Sequence, residues 1–443
     1  MTRYWADHAW LGGERVESEV LIEVDGGRFG AVAPAAPRPT DATHLRGVTL
    51  PGLANAHSHA FQRALRGRTH RAGGSFWTWR QDMYALAELL TPGSYRELAR
   101  ATYAEMVLAG ITCVGEFHYL HHDAGGARYD EPNAFGQVLI EAAADAGIRI
   151  TLLDACYLAG GIGQPLEGPQ RRFGDADAAA WAERVSALAA PDHARMGAAI
   201  HSVRAVPEDQ LDTVVAWARE REAPLHFHLS EQRAENEACL AAYGRTPARL
   251  LEDHGALGPR SCAVHATHLS DDDIALLGGS ATAICMCATT ERDLADGIGP
   301  AASLSAASSP LVLGSDSNAL VDMFEEARAV ELDERLVSER RGHWPAPGLL
   351  AAASANGHAA LGWPDAGRIE PGARADLVTI GLDSVRLAGA EPATLLESLV
   401  FSAAPGDVRE VVAGGRRIVA GGRHELVDDV PRGLRSAIAT VLA

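Results

Sequence analysis

The chain contains no lysine: all 39 of its basic residues are arginine. That absence removes every mechanism needing a Schiff-base lysine, a pyridoxal phosphate anchor, a phosphate-loop lysine or a carbamylated lysine between two metals. Cysteine is sparse too. Cys113, Cys156, Cys239, Cys262, Cys285 and Cys287 follow no spaced framework and mostly sit in apolar runs, so they read as buried, reduced thiols. Long apolar runs are missing: the longest stretch free of both charged residues and histidine, between Asp296 and Asp316, is broken by Gly297, Gly299, Pro300 and Pro310 and does not make a membrane span. Met1 to His8 has no basic segment followed by an apolar one, which predicts no secretory signal and a cytoplasmic location. Positive charge is in deficit, 39 basic against 58 acidic residues for a net charge of −19. That balance argues against nucleic acid or an anionic membrane as partner, because both select a cationic surface.

With 443 residues, 47% of them hydrophobic, the chain has ample material for a core. Its length suits a barrel of about 200 to 300 residues with something smaller attached. Residues 1–46 hold short alternating segments such as Glu19 to Val24, punctuated by Gly26-Gly27, and residues 371–443 repeat the style at Ala375 to Ile380 and Val411 to Val419. Two strand-rich ends predict one small β-sandwich domain assembled from both termini. Residues 47–370 alternate between apolar runs and amphipathic stretches, the pattern of parallel βα units. Candidate strands fall at Thr49 to Ala56, Thr112 to Phe117, Arg149 to Cys156, Gly197 to His201, Pro224 to His228, Cys262 to His265, Ala281 to Cys285 and Leu311 to Asp316. Eight such strands close an α/β barrel of (β/α)8 type. Between them, Tyr95, Leu98, Ala99, Thr102, Met106 and Ala109 share one helical face and Gly110 follows at the expected stop, while Leu211, Val214, Val215 and Ala218 share another.

The predicted strand ends carry metal-binding side chains. The first ends in His57-Ser58-His59, and residues two apart on a strand point to one face, so both imidazoles can converge on one ion. The fifth ends in His228, followed by Glu231; the sixth in His265; the eighth in Asp316. Singly, each has a bland reading: a polar pair at a strand end, a local turn, a helix N-cap. In this order, at the mouth where such barrels hold their sites, they suit a borderline divalent metal such as zinc with a position left for water. His226, one layer deeper than His228, reads as a core residue, His268 as structural, and His121 and His122 as loop residues.

Pro51 to His59, His228-x-x-Glu231, His265 and Ser315-Asp316 together resemble the amidohydrolase superfamily in its mononuclear deaminase branch. The resemblance implies that His57, His59, His228 and Asp316 hold one divalent metal, zinc or iron. It further implies that Glu231 shuttles a proton from water to the leaving nitrogen, that His265 polarises the nucleophile, and that Asp316 relays a proton as the intermediate collapses. The superfamily's binuclear branch uses a carbamylated lysine at the fourth strand; here that strand ends in His201.

Arginine suits bidentate carboxylate binding, so Arg80 and Arg204 near the predicted mouth of a strongly acidic protein point to a small anionic substrate. The segments around Gln62, Trp77 to Arg80, Glu116 to Tyr119, His201 to Arg204 and Cys287 to Gly297 resemble those of deiminases that release ammonia from the formimidoyl group of a small dicarboxylate in histidine breakdown. That resemblance implies that Gln62, Tyr119, His201 and Arg204 bind the substrate's carboxylate end, that Arg80 adds a contact, and that the protein is a homodimer in which Arg80 can reach across. One departure is Ala288, where related deaminases often have proline; Thr289-Thr290-Glu291 after it is retained. An aminohydrolase of a purine, pterin or other heterocycle would share the metal site but favour aromatic stacking over two arginines. A catalytically silent scaffold would not keep the whole ligand and shuttle set.

Overall fold

The apolar run from Thr49 to Ala56, a single strand on sequence grounds, is divided at Gly52 between two sheets. The structure, a computed structural model, describes residues 1–70 and 73–443. One sheet contains β1 (Thr2–Ala9), β2 (Glu17–Asp25), β3 (Arg28–Ala33) and β4 (Thr43–Pro51). The barrel follows as β5 (Leu53–Ser58), β6 (Ile111–His118), β7 (Arg149–Cys156), β8 (Ala194–Ile200), β9 (Leu225–Leu229), β10 (Ser261–His265), β11 (Ala283–Met286) and β12 (Leu311–Leu313). The chain then returns to the first sheet with β13 (Leu377–Ile380), β14 (Val408–Ala413), β15 (Arg416–Ala420) and β16 (Arg423–His424). Among the described residues these make two eight-stranded sheets, one in the order β16-β15-β14-β13-β4-β1-β2-β3 and one in strict sequential order β5 to β12.

Gly52 is the corner between them because nothing larger fits: a Cβ there would run into the side chain of Thr112 and would lie 2.8 Å from the Cβ of Asp376. Its backbone N–H donates to the Asp376 carbonyl at 2.9 Å. β4, which pairs with β1 on one side and β13 on the other, carries the terminal sheet through residue 46 to Pro51. That sheet folds over on itself. The Gly26-Gly27 turn meets the Gly414-Gly415 turn through Ala375, which donates to Gly27 and accepts from Gly415 at 2.9 and 2.8 Å. The fold encloses Tyr4, Val20, Ile22, Val24, Phe29, Leu377 and Val412 in a core of its own. A buried ion pair between Arg149, at the start of β7, and Asp376 fastens this sheet to the barrel's N-terminal end, away from the strand ends that carry the ligands.

All neighbouring barrel strands pair in parallel, so the crossovers must be long, and helices supply them. Helix Pro92–Leu108 starts at Thr91, whose hydroxyl accepts the Ser94 N–H, and places Pro92 at its first turn. It buries Tyr95, Leu98, Ala99, Thr102 and Met106, and Gly110 ends it at φ +90°. Helix Glu208–Glu220 buries Leu211, Val214, Val215 and Ala218. Each large apolar side chain in these stripes contributes about 1.5–3 kcal/mol on burial. The barrel closes where the proposed ligands stand: Asp316 donates its N–H to the His57 carbonyl and His59 donates to the Asp316 carbonyl, both at 2.9 Å. Asn55, Ser315 and Asn318 lock the same seam: Asn55 Nδ2 donates to Ser315 Oγ at 2.7 Å, the Ser315 backbone N–H donates to Asn55 Oδ1 at 2.9 Å, and Ser315 Oγ donates to Asn318 Oδ1 at 2.7 Å.

Candidate active site

The C-terminal ends of the barrel strands gather His57, His59, His228, Glu231, His265 and Asp316 into one buried cluster. One nitrogen from each of His57, His59 and His228 lies within 4.8 Å of the others. His57 Nε2 sits 3.2 Å from His228 Nε2 and 3.4 Å from Asp316 Oδ1, and His59 Nε2 is 3.3 Å from the same oxygen. Backbone carbonyls fix two of the ring tautomers. His59 Nδ1 donates to the Phe117 carbonyl at 2.9 Å and His228 Nδ1 to the His201 carbonyl at 2.8 Å. Both rings therefore present an Nε2 lone pair to the centre, the usual preparation of a metal ligand. His57 Nδ1 is buried without a partner among the described residues.

Burial holds these imidazoles neutral: His57 is lowered to about 3, outweighing the Asp316 hydrogen bond; His59 is lowered and His228 lies well below the ordinary histidine value. Asp316 is buried as well, yet the hydrogen bond from His57 and the charge on His265 hold its carboxyl far below the usual carboxylate range. Three neutral imidazoles and one ionised carboxylate, with their nitrogen and oxygen atoms gathered at contact distance, are a donor set for a divalent cation. A cation is the natural relief for that arrangement.

Beside the cluster, His265 Nε2 lies 3.8 Å from Glu231 Oε1 and 3.9 Å from Asp316 Oδ2, while its Nδ1 is 3.4 Å from Glu291 Oε1. Burial alone would lower His265, but Glu231, Glu291 and Asp316 together raise it to about 10. For Glu231 burial dominates, and the carboxyl is pushed up to about 7 although His265 and Arg204 oppose it. A carboxyl near 7 can both accept and release a proton at neutral pH. Backbone strain holds the turns that carry these groups: Ser230, His265 and Asp316 have φ of +51°, +67° and +44°. For non-glycine residues such values cost about 1–3 kcal/mol each and persist only where the surroundings impose them.

The cluster opens into a cavity lined by Gln62, Trp79, Arg80, Tyr84, Tyr119, Tyr157, His201 and Arg204 as well as by His59, His228, Glu231, His265 and Asp316. All five residues expected to bind substrate therefore border one space. Gln62 Nε2 donates to the Tyr119 hydroxyl at 3.0 Å, and the buried Gln62 Oε1 has no partner among the described residues. Arg204 is gripped at Nε by Glu235 at 2.9 Å. Arg80 comes from helix Phe76–Leu89, where the sequence suggests only a long connection; its Nε donates to the Tyr84 hydroxyl, and its guanidinium lies 5.6 Å from the Trp77 ring centre. It reaches the cavity of its own chain. Tyr84, Tyr157 and Glu235 escape a reading by motif. The only signal of Glu235 in the sequence is its place four residues after Glu231, at the start of a helix.

A second group of buried ligands, His118, His121 and Asp154, lies between the barrel and its helices. Arg184 donates to both oxygens of Asp154 at 2.8 and 3.0 Å and the Trp181 indole N–H adds a third bond. The guanidinium already occupies the cation's place, so this group is a polar tie. His121, in the loop after β6 as expected, belongs to it: its Nε2 donates to the Ala155 carbonyl at 3.0 Å. His226 packs in the core and donates to the Ala360 carbonyl at 3.0 Å. All six cysteines are buried and free.

Residues 48–418 match the amidohydrolase family. Formimidoylglutamate deiminase from Pseudomonas aeruginosa is 40% identical over 397 residues, which cover 86% of this chain and 87% of that protein. Among solved structures, an amidohydrolase from Brucella melitensis superposes with a TM-score of 0.92 at 33% identity, covering all of both chains. An adenosine deaminase from Xanthomonas campestris, solved with bound zinc, superposes with a TM-score of 0.84 at 24% identity over 99% of this chain and 97% of that one.

Proposed function

Because the chain belongs to the amidohydrolase family, we propose that its C–N bond hydrolysis is the deimination of N-formimidoyl-L-glutamate to N-formyl-L-glutamate and ammonia. The observation that carries this reading is the placing of Arg80 and Arg204 in one cavity with the Glu231, His265 and Asp316 cluster. A heterocycle would offer no anion to Arg80 or to the terminal nitrogens of Arg204, whose Nε already bonds Glu235; a substrate with two carboxylates pairs both. The 40% identity to the P. aeruginosa deiminase supports the same substrate.

His57, His59, His228 and Asp316 would hold one divalent ion, with zinc favoured by three imidazoles and a carboxylate. When bound, such an ion lowers the pKa of water so that a nucleophile exists near neutrality. The chain's own groups do the rest. Glu231 takes the proton of the attacking water at its carboxylate. It then delivers that proton to the formimidoyl nitrogen; the remaining proton on the added oxygen follows by way of the Asp316 carboxylate as the tetrahedral carbon collapses, so the nitrogen leaves as ammonia and the carbon keeps the new oxygen as a carbonyl. His265, cationic between its carboxylates, donates towards the attacked centre and stabilises charge as it develops there. Arg204 and Arg80 hold the carboxylates, Gln62 and Tyr119 the polar edge near them, and His201 closes the wall against Tyr157, with ring centres 4.4 Å apart.

The proposal includes action in cytoplasmic histidine breakdown by a homodimer; the cavity needs no second copy, since Arg80 lines it from its own chain. Among the described residues no helix is long and apolar enough to cross a membrane. The test is ammonia release by zinc-loaded protein from N-formimidoyl-L-glutamate, measured beside guanine, cytosine and adenosine. Turnover of the first alone is expected. Turnover of a heterocycle with none of the first would refute the assignment.

A further inference from the structure

Glu235 is fully buried in the first turn of helix Arg233–Tyr243, and its two oxygens serve two different donors. Oε2 accepts from Arg204 Nε at 2.9 Å, and Oε1 accepts from the Ser230 backbone N–H at 3.2 Å. Ser230 is the left-handed turn residue, φ +51°, that immediately precedes Glu231. One carboxylate thus ties the guanidinium that faces the cavity to the turn that presents the proposed proton shuttle.

The grip on Arg204 is at Nε, and among the described residues its two terminal nitrogens donate to no protein group. That is the orientation in which guanidinium offers a parallel fork to a ligand carboxylate. Without a fixed partner, a buried arginine in a cavity that also exposes Glu231 would pair with that carboxylate instead. The companion arginine, Arg80, is held by the neutral Tyr84 hydroxyl and is only half-buried, so the rigid carboxylate anchor is on the Arg204 side.

We propose that Glu235 is a positioning residue for substrate recognition, holding the Arg204 fork open towards the cavity and away from Glu231. This rests on the reading that Arg204 binds a substrate carboxylate. Glutamine in its place offers one acceptor and one NH2 group against two N–H donors, so one of the two contacts is lost. Aspartate keeps the charge but is a methylene too short to span both.

The probe is glutarate, a five-carbon dicarboxylate, titrated calorimetrically into zinc-loaded protein and into Glu235→Gln, Glu235→Asp, Arg204→Met and the Glu235→Gln/Arg204→Met double variant. Losing one charge-assisted bond predicts glutarate binding at least about tenfold weaker in either Glu235 variant. Arg204→Met should lose as much or more, and the double variant should bind no more weakly than Arg204→Met alone. With N-formimidoyl-L-glutamate the Glu235 variants should lose kcat/KM chiefly through KM. Unchanged glutarate binding in both Glu235 variants, or a full tenfold loss repeated on the Arg204→Met background, would overturn the positioning role. Wild-type glutarate affinity in Arg204→Met would instead overturn the carboxylate-anchor reading beneath it.

Discussion

Replacing Arg204 by methionine keeps most of the side-chain volume and removes the guanidinium. The side chain is 13% exposed and its partner Glu235 is fully buried, so the bond to a ligand carboxylate forms out of water. A hydrogen bond to a charged group contributes about 1.5–3 kcal/mol. Removing one partner of a buried pair costs about 3–5 kcal/mol, because the other charge is stranded. Glu235 is stranded in the free variant too and cancels from kcat/KM, so the substrate carboxylate, left in a buried site without its partner, sets the expected loss at about 3–5 kcal/mol of transition-state stabilisation. At about 1.4 kcal/mol per tenfold, kcat/KM for N-formimidoyl-L-glutamate should fall by about 100-fold to 4,000-fold. Arg80→Met should cost less, about 1–2 kcal/mol or 5- to 30-fold, since Arg80 is half-buried and bonded to a neutral hydroxyl. Initial rates of ammonia release, followed with a coupled glutamate dehydrogenase assay below and above KM, measure both. A loss below tenfold in Arg204→Met, or a larger loss in Arg80→Met, would refute the assignment of Arg204 as the buried anchor.

Glu231→Gln should keep its full metal content by elemental analysis while kcat drops by about 10² to 10⁴, the contribution of a positioned general acid–base; substantial retained turnover removes Glu231 from the shuttle role. Glu116, which accepts from the Ala60 N–H and the Tyr95 hydroxyl, is pushed by burial up to about 8. Its proton is held more tightly in the folded state, so the stability it contributes is complete below about pH 4.5 and is lost as pH rises to about 8. Glu116→Gln should therefore flatten the fall of Tm across that window, and an identical slope in both proteins would count against a protonated Glu116. Gly52→Ala forces a methyl group against Thr112 and Asp376 and should cost about 1–3 kcal/mol in urea unfolding; an unchanged midpoint would show that the two sheets can part at no cost.

The candidate ligands were legible because each stands on a strand end with a strong apolar signal before it. Val264 before His265 and Val312 before Ser315-Asp316 share one buried cluster, and period two puts His57 and His59 on one face. The division at Gly52 was not legible: Thr49 to Ala56 is uncharged and mostly apolar throughout, and only the closeness of Thr112 and Asp376, 60 and 324 residues later, makes the break necessary. Helix Phe76–Leu89 was also hidden, because Trp77, Thr78 and Trp79 are weak helix formers and its support comes from packing Phe76, Met83, Leu86 and Ala87.

By itself the sequence determined the chemistry that is available: arginine as the only strong cation, no lysine for a bridged metal pair, and three histidines and a carboxylate at successive strand ends. Tertiary structure decided how those groups are poised. His57 is neutral because the barrel buries it, and Glu231 is raised to about 7 because desolvation outweighs His265 and Arg204 beside it. Arg204 opens towards the cavity because Glu235, on another element, holds its Nε. Residue type and local spacing are carried by short stretches of chain, whereas dielectric, protonation and the aim of a guanidinium depend on groups brought together from distant parts of it.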